Sequence, residues 1–267
     1  MTDWADLLRA ALGGGLVVKL ADYGVAWLTR KSEKAATAQE LVDKHLDPVL
    51  KAADELTGKI RSLSVEDFQS LPRFPSRDPA HPSLPYAVEL ANLVYLFAYF
   101  WGRIEILRRA SIYVSLTADS RGKDLVAFVR CLESRQTRII DRARQRALGE
   151  LVLTTDSLGV RCLTFYEFVE KLTTSARDLD WTQELAMIIT SATAKGGASK
   201  KAFRYPIITY GLILHAMIDH LDPEHRTTND RPAFGHKLSP RAGATLRFRV
   251  LDQYLPFVKN PWKYTGD

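Results

Sequence analysis

Residues 86–116 run without proline, and of the sixteen from 86 to 101 all but Glu89 and Asn92 are apolar. As a helix at 1.5 Å per residue the segment would extend about 46 Å. A helix that is apolar on every side must be enclosed, by protein or by lipid. The apolar stretch falls short of the ~20 residues that cross a bilayer, and Arg103, Glu105, Arg108 and Arg109 close it. The segment predicts a long central core helix at about 86–116, with the other elements packed around it.

Those other elements also read as helices, because apolar residues recur at intervals of three and four. Ser32 with Glu33 predicts one helix start, and Asp47 followed by Pro48 a second. Ser64 and Asp67 form a capping-box-like start for a short helix ending near Leu71. Ser120 is expected to cap a helix through Leu125, Phe128 and Leu132 that continues to Leu148. Thr164 with Glu167 predicts another capping box, helices are expected around 181–192 and 206–221, and Ser239 with Pro240 opens a last one. The hairpin candidate lies at 151–163, where residues 151–153 and 160–163 flank a Thr-Thr-Asp-Ser run. The expected fold class is all-α, a multi-helix bundle-like domain with one small β-hairpin.

Pro72, Pro75, Pro79, Pro82 and Pro85 fall within fourteen residues, which cannot be helix interior and reads as a semi-extended linker. It separates an N-terminal helical module, 1–71, from a main helical domain, 86–267. In the first module, residues 7–28 form an apolar run interrupted by Arg9, Lys19 and Asp22. Trp4, Leu8, Leu12, Leu16, Leu20, Tyr23 and Trp27 make one helical stripe, and Arg30, Lys31 and Lys34 follow it. Residues 4–28 thus read either as a packed amphipathic helix or as one lying on a membrane surface.

Hydrophobic residues at 46% and charged residues at 25%, with 15 Gly and 12 Pro, exclude collagen-like and disordered classes. Cys131 and Cys162 are too few for a disulfide framework, and residues 1–6 carry Asp3 and Asp6 but none of the basic residues of a secretory signal. The expected location is the cytoplasm, with possible attachment to the inner face of a membrane.

A net charge of +6 permits an anionic partner, and its distribution is uneven. Arg135, Arg138, Arg142, Arg144 and Arg146 are opposed locally only by Asp141. On one helix, Arg135, Arg138, Arg142 and Arg146 would fall within about 80° of one another, a ridge suited to phosphates. Lys195, Lys200, Lys201 and Arg204 bracket Gly196 and Gly197 with no acid in residues 194–204, although the Walker A spacing is missing. Residues 226–249 hold six basic residues against Asp230. Arg135, Arg138, Arg142, Arg146, Lys200 and Lys201 are the candidate contacts for a nucleic acid or other polyanion.

Histidine is concentrated as well: His215, His220, His225 and His236 lie within 22 residues, among Asp219, Asp222 and Glu224. His215 and Asp219, four apart on a helix, can present two ligands to one metal. His215, Asp219, His220 and His236 are the candidate ligands. The order Asp219-His220, Pro223, Asn229, His236 and Lys237 resembles the core of an HNH nuclease over about nineteen residues. That resemblance implies that His220 activates water and that His236 or Asn229 helps hold a divalent metal. The chain departs from the family in lacking its Gly and Cys-pair scaffolding, and His220 ends a predicted helix instead of standing in a hairpin. No G-x-S-x-G elbow is present, both cysteines lie among apolar residues, and no cofactor is expected.

The leading expectation is a non-enzymatic helical interaction or effector protein with a protein partner. The alternatives are a nucleic-acid-binding protein using the arginine ridge and a metal-dependent nuclease with His220 and His236 as catalytic residues.

Overall fold

The computed structural model describes residues 15–73, 75, 84–112, 114–157 and 159–266. Among the described residues the fold is all-α, about 70% helical, with one two-stranded antiparallel hairpin. Trp4, Leu8 and Leu12 of the expected first helix lie outside the described residues, as do Pro79 and Pro82 of the proline-rich segment.

The first element, α1, spans Gly15–Val65 and passes through Pro48. The helix starts expected at Ser32 and at Asp47-Pro48 are therefore interior positions. Pro48 leaves the Lys44 carbonyl without its usual helical partner, which costs about 3 kcal/mol. The apolar side chains around it outweigh that loss: Leu46, Val49, Leu50, Ala53 and Leu56 are all buried, at about 1.5–3 kcal/mol for each Leu or Val. The expected helix at 64–71 is instead a turn. Asp67 and Phe68 take positive φ of 52° and 60°, and the reversal is held by the Phe68 N–H on the Leu63 carbonyl at 2.7 Å and by full burial of the Phe68 ring.

The central helix α2 spans Val88–Ala110. It stops short of 116 because the Ser111 N–H and hydroxyl both turn back onto the last carbonyls of the helix. Among the described residues α2 alone is long and apolar enough to cross a membrane, and 72% of its apolar window is buried inside the protein. It is enclosed by protein: α1 packs along it and also against the later helix α7, Tyr205–Leu221, while α4, Arg142–Leu151, crosses it closely. Glycine permits that crossing. A Cβ on Gly149 would stand 2.9 Å from the Trp101 carbonyl, and one on Gly102 2.6 Å from Val152.

Helix α3, Ser120–Leu132, is capped by Asp119, whose carboxylate accepts the Gly122 N–H at 2.8 Å. It does not continue to Leu148. The chain leaves the helix at Glu133 and re-enters one at Arg142, where Asp141 accepts the Ala143 N–H at 2.9 Å. Strands β1, Leu153–Asp156, and β2, Gly159–Cys162, form the hairpin, with Leu153 opposite Cys162 and Asp156 opposite Gly159. The capping box of Thr164 and Glu167 opens α5, Phe165–Thr174. Arg161 of β2 reaches Glu167, and its hydrogen bonds, with that of the Thr164 backbone, hold the Glu167 carboxyl down to about 2.

Helix α6, Ala176–Ser191, leads to the Gly196-Gly197 loop and a π-helical turn, Lys200–Arg204, that runs into α7. Ser239 caps α8, Pro240–Thr245, through the Ala242 N–H, and a wider helical turn, Leu246–Leu251, continues it. A last turn, α9, spans Trp262–Thr265. One apolar cluster takes in buried residues from Val42 on α1 to Tyr264 on α9.

Candidate anion-binding site

The break between α3 and α4 redistributes the arginines read as one ridge. Hydroxyls make the break: Thr137 donates to the Cys131 carbonyl and lies 3.1 Å from the Ser134 hydroxyl. Only Arg142, Arg144 and Arg146 stand on α4, so the expectation that Arg135, Arg138, Arg142 and Arg146 share a helical face is corrected. Arg138 pairs with Asp141 at 3.3 Å, Arg144 with Glu184 at 2.7 Å, and Arg142 and Arg146 both face Glu133. Arg135 is exposed in the loop, beside Gln136.

That loop meets the other two basic stretches. Gln136 and Thr137 line a cavity of about 380 Å³ together with Gly197 and Lys201 from the glycine loop and π turn, and Ser239 and Arg241 from the start of α8. Pro206, Leu246 and Val250 supply apolar wall, and among the described residues no carboxylate lines the cavity. The Lys201 and Arg241 side chains make no ion pair among the described residues. Tyr205 and Thr209 of α7 add hydroxyls. Lys200 is half-buried and stands outside the lining.

A concave site with apolar walls, convergent hydroxyls and two unopposed cations suits a ligand with an apolar body and an anionic end. No family model, curated protein or solved structure matches the chain. Geometry and chemistry alone carry the functional reading.

The histidine-rich segment is organised differently. His220 Nε2 lies 2.8 Å from Asp124 of α3, and its ring packs on Phe128 and Phe257. Asn229 donates to Asp54 of α1, a buried carboxylate that also accepts from Arg231 at 2.7 and 3.1 Å. Asp222 organises the loop after α7 by accepting the N–H groups of Arg226, Thr227 and Thr228 and the hydroxyls of Thr227 and Thr228. Burial works against its charge, and these bonds outweigh it, holding the carboxyl down to about 2. Asp219 accepts from Lys263 at 2.7 Å and from the Tyr264 hydroxyl at 2.6 Å, pinning α9 to α7.

Asp219 also lies 3.5 Å from His215 Nε2 and 3.5 Å from His225 Nε2. Burial lowers the His215 pKa, and neighbouring Asp219 opposes that shift in part. His236 is exposed on a separate turn, Gly235–Lys237. Among the described residues no group of three His, Cys, Asp or Glu side chains could hold a metal ion. The candidate ligands His215, Asp219, His220 and His236 are thus not gathered into one metal-holding group among the described residues. At 100° per residue His220 stands about 140° around α7 from His215 and turns to α3 instead. His220 and Asn229, two residues of the HNH-like order, are each held by a carboxylate from a different helix.

Burial pushes the Cys131 thiol up to about 12 and the Cys162 thiol to about 11, which leaves both in the unreactive protonated form. Residue-level sequence reading missed Gln136, Thr137, Tyr205, Thr209 and Arg241 as cavity residues. The Ser239-Pro240 start placed Arg241 in the first turn of a helix, but what it faces depends on segments more than a hundred residues apart.

Proposed function

We propose that the chain is a non-enzymatic binding protein for a small ligand that joins an apolar body to an anionic end. The ligand sits in the cavity between the loop before α4, the Gly197 loop and α8. The observation that carries this reading is the meeting of Lys201 and Arg241, from two separate basic stretches, around one cavity that has apolar walls and, among the described residues, no carboxylate. Its volume, about 380 Å³, is within the range of small-molecule sites, ~300–1,000 Å³. Lys201 and Arg241 meet the anionic end, Tyr205 and Thr209 orient it, and Leu246 and Val250 receive the body. Cys131 and Cys162 are unpaired thiols, which suits the reducing cytoplasm in which we propose it acts.

The test uses 8-anilinonaphthalene-1-sulfonate, an apolar ring system carrying one anionic group, with decanoate as competitor. Saturable fluorescence enhancement that decanoate displaces is the expected result. Enhancement that does not saturate, or that decanoate leaves unchanged, contradicts the reading. A second reading is single-stranded nucleic acid, favoured by Phe248, which is 57% exposed with the Arg247 guanidinium 5.1 Å from its ring. An aromatic flanked by cations is the arrangement on which bases stack. Displacement of the probe by an oligothymidylate, with affinity falling steeply as salt rises, would favour it.

A further inference from the structure

Arg142 and Arg146 serve a different cavity from Lys201 and Arg241. A pocket of about 230 Å³ lies where α2, α3 and α4 meet, floored by Leu107, Leu116, Leu125 and Val129. Arg108, Arg130, Arg142 and Arg146 line it against one carboxylate, Glu133. Glu105 approaches Arg108 from the same turn of α2. Four guanidinium groups against two carboxylates leave an excess of two positive charges.

The four are not equally engaged. Arg108 hydrogen-bonds both Glu105 and Glu133 and so cross-links the two carboxylates. Arg142 approaches Glu133 through Nε at 3.3 Å and Arg146 through Nε at 3.8 Å, and neither side chain makes a hydrogen bond among the described residues. The Arg146 Nε is buried without a hydrogen-bond partner. Beside it Gln145, 1% exposed, has both amide atoms buried and unpartnered, at a void of about 10 Å³ that shares Arg108, Glu133 and Arg146 with the larger pocket. That void is about the size of one water, which could link the amide to a guest in the pocket. Unsatisfied donors, an excess of two cations and an apolar floor thus coincide.

We infer that this pocket binds a small phosphomonoester, with the dianionic head on the guanidinium groups of Arg142, Arg146 and Arg130 and an apolar substituent on the floor. Three phosphoryl oxygens match planar forks that one carboxylate leaves open. A dianion also balances the excess charge, whereas a carboxylate monoanion leaves one cation uncompensated. Glu133 keeps the arginines together when the pocket is empty.

The test titrates the full-length protein with phenyl phosphate at pH 8, where phosphomonoesters are dianionic. Calorimetry follows the binding, with inorganic phosphate and benzoate as comparisons. Expected is saturable one-to-one binding, at least about fivefold tighter than either comparison ligand. Arg142→Gln and Arg146→Gln should each weaken it by about tenfold, and Lys201→Gln with Arg241→Gln should leave it unchanged. The Arg142 and Arg146 side chains are 54% and 40% exposed, so both replacements can be made without emptying the core. Should either lose its helical circular dichroism, Arg142→Lys decides, keeping the charge but removing the fork and weakening binding. Absence of saturable binding overturns the inference, as does full affinity in the variants or phenyl phosphate binding no tighter than inorganic phosphate. Failure here leaves sulfonate binding at the other cavity untouched, so the two proposals fail separately.

Discussion

The segment 215–236 and the cavity around Lys201 and Arg241 are both rich in ionisable side chains, and they use them in opposite ways. In the first, charged groups close contacts within the fold: Asp54 holds Arg231 and Asn229, Asp124 meets His220, and Asp219 holds Lys263 and Tyr264. In the second, two cations from separate stretches, Lys201 and Arg241, share a concave surface that among the described residues no acid lines. Density of ionisable residues along the chain therefore does not mark a site. What marks one is whether the folded partners leave charge uncompensated, and those partners come from elsewhere in the sequence.

The largest expected effect lies on the structural side of this contrast. Asp54→Ala leaves the partly buried Arg231 guanidinium without its carboxylate, at a cost of about 3 kcal/mol. Urea denaturation checks it, and a loss well below 1 kcal/mol would mean that the 223–231 loop is not anchored through Asp54. Next comes pH. Asp222 has a folded pKa of about 2 against an ordinary value near 3.8. Its contribution is present above the ordinary value and is lost as pH falls from there toward 2. The amount is about 1–2 kcal/mol, and Asp222→Asn should flatten that part of the stability profile. The smallest effects separate the two nuclease candidates. His220→Ala loses the Asp124 contact and packing on Phe257, for about 1–2 kcal/mol, whereas exposed His236→Ala stays within about 0.5 kcal/mol. Equal effects would contradict their separate placement.

The parts of the fold legible in the sequence are those set by neighbours along the chain. Thr164 and Glu167 cap each other across three residues, Ser239 and Pro240 start a helix by local geometry, and the hairpin closes over a short turn. The enclosed helix was legible because sixteen nearly continuous apolar residues admit few environments. The passage of α1 through Pro48 was not, since local chemistry argues for a break and burial of side chains on α1 overrides it. The break at 133–141 hid for the converse reason: its determinants are the Thr137 hydroxyl on a carbonyl six residues back and the Asp141 cap, against a background of helix-forming arginines. Of the candidate contacts, Lys201 reached the proposed site, Arg142 and Arg146 reached a different pocket, and Arg135, Arg138 and Lys200 line neither.

The most direct measurement compares two probes in two proteins. 8-Anilinonaphthalene-1-sulfonate and N-phenyl-1-naphthylamine share their rings, and only the first is anionic. Affinity for each is measured in the parent and in the Lys201→Gln, Arg241→Gln double variant. If the cavity reads an anionic end through those two cations, the sulfonate loses about tenfold or more, the scale of charge-assisted hydrogen bonds at a partly open site, and the uncharged probe binds both proteins alike. Equal losses for the two probes, or no loss for either, would contradict it.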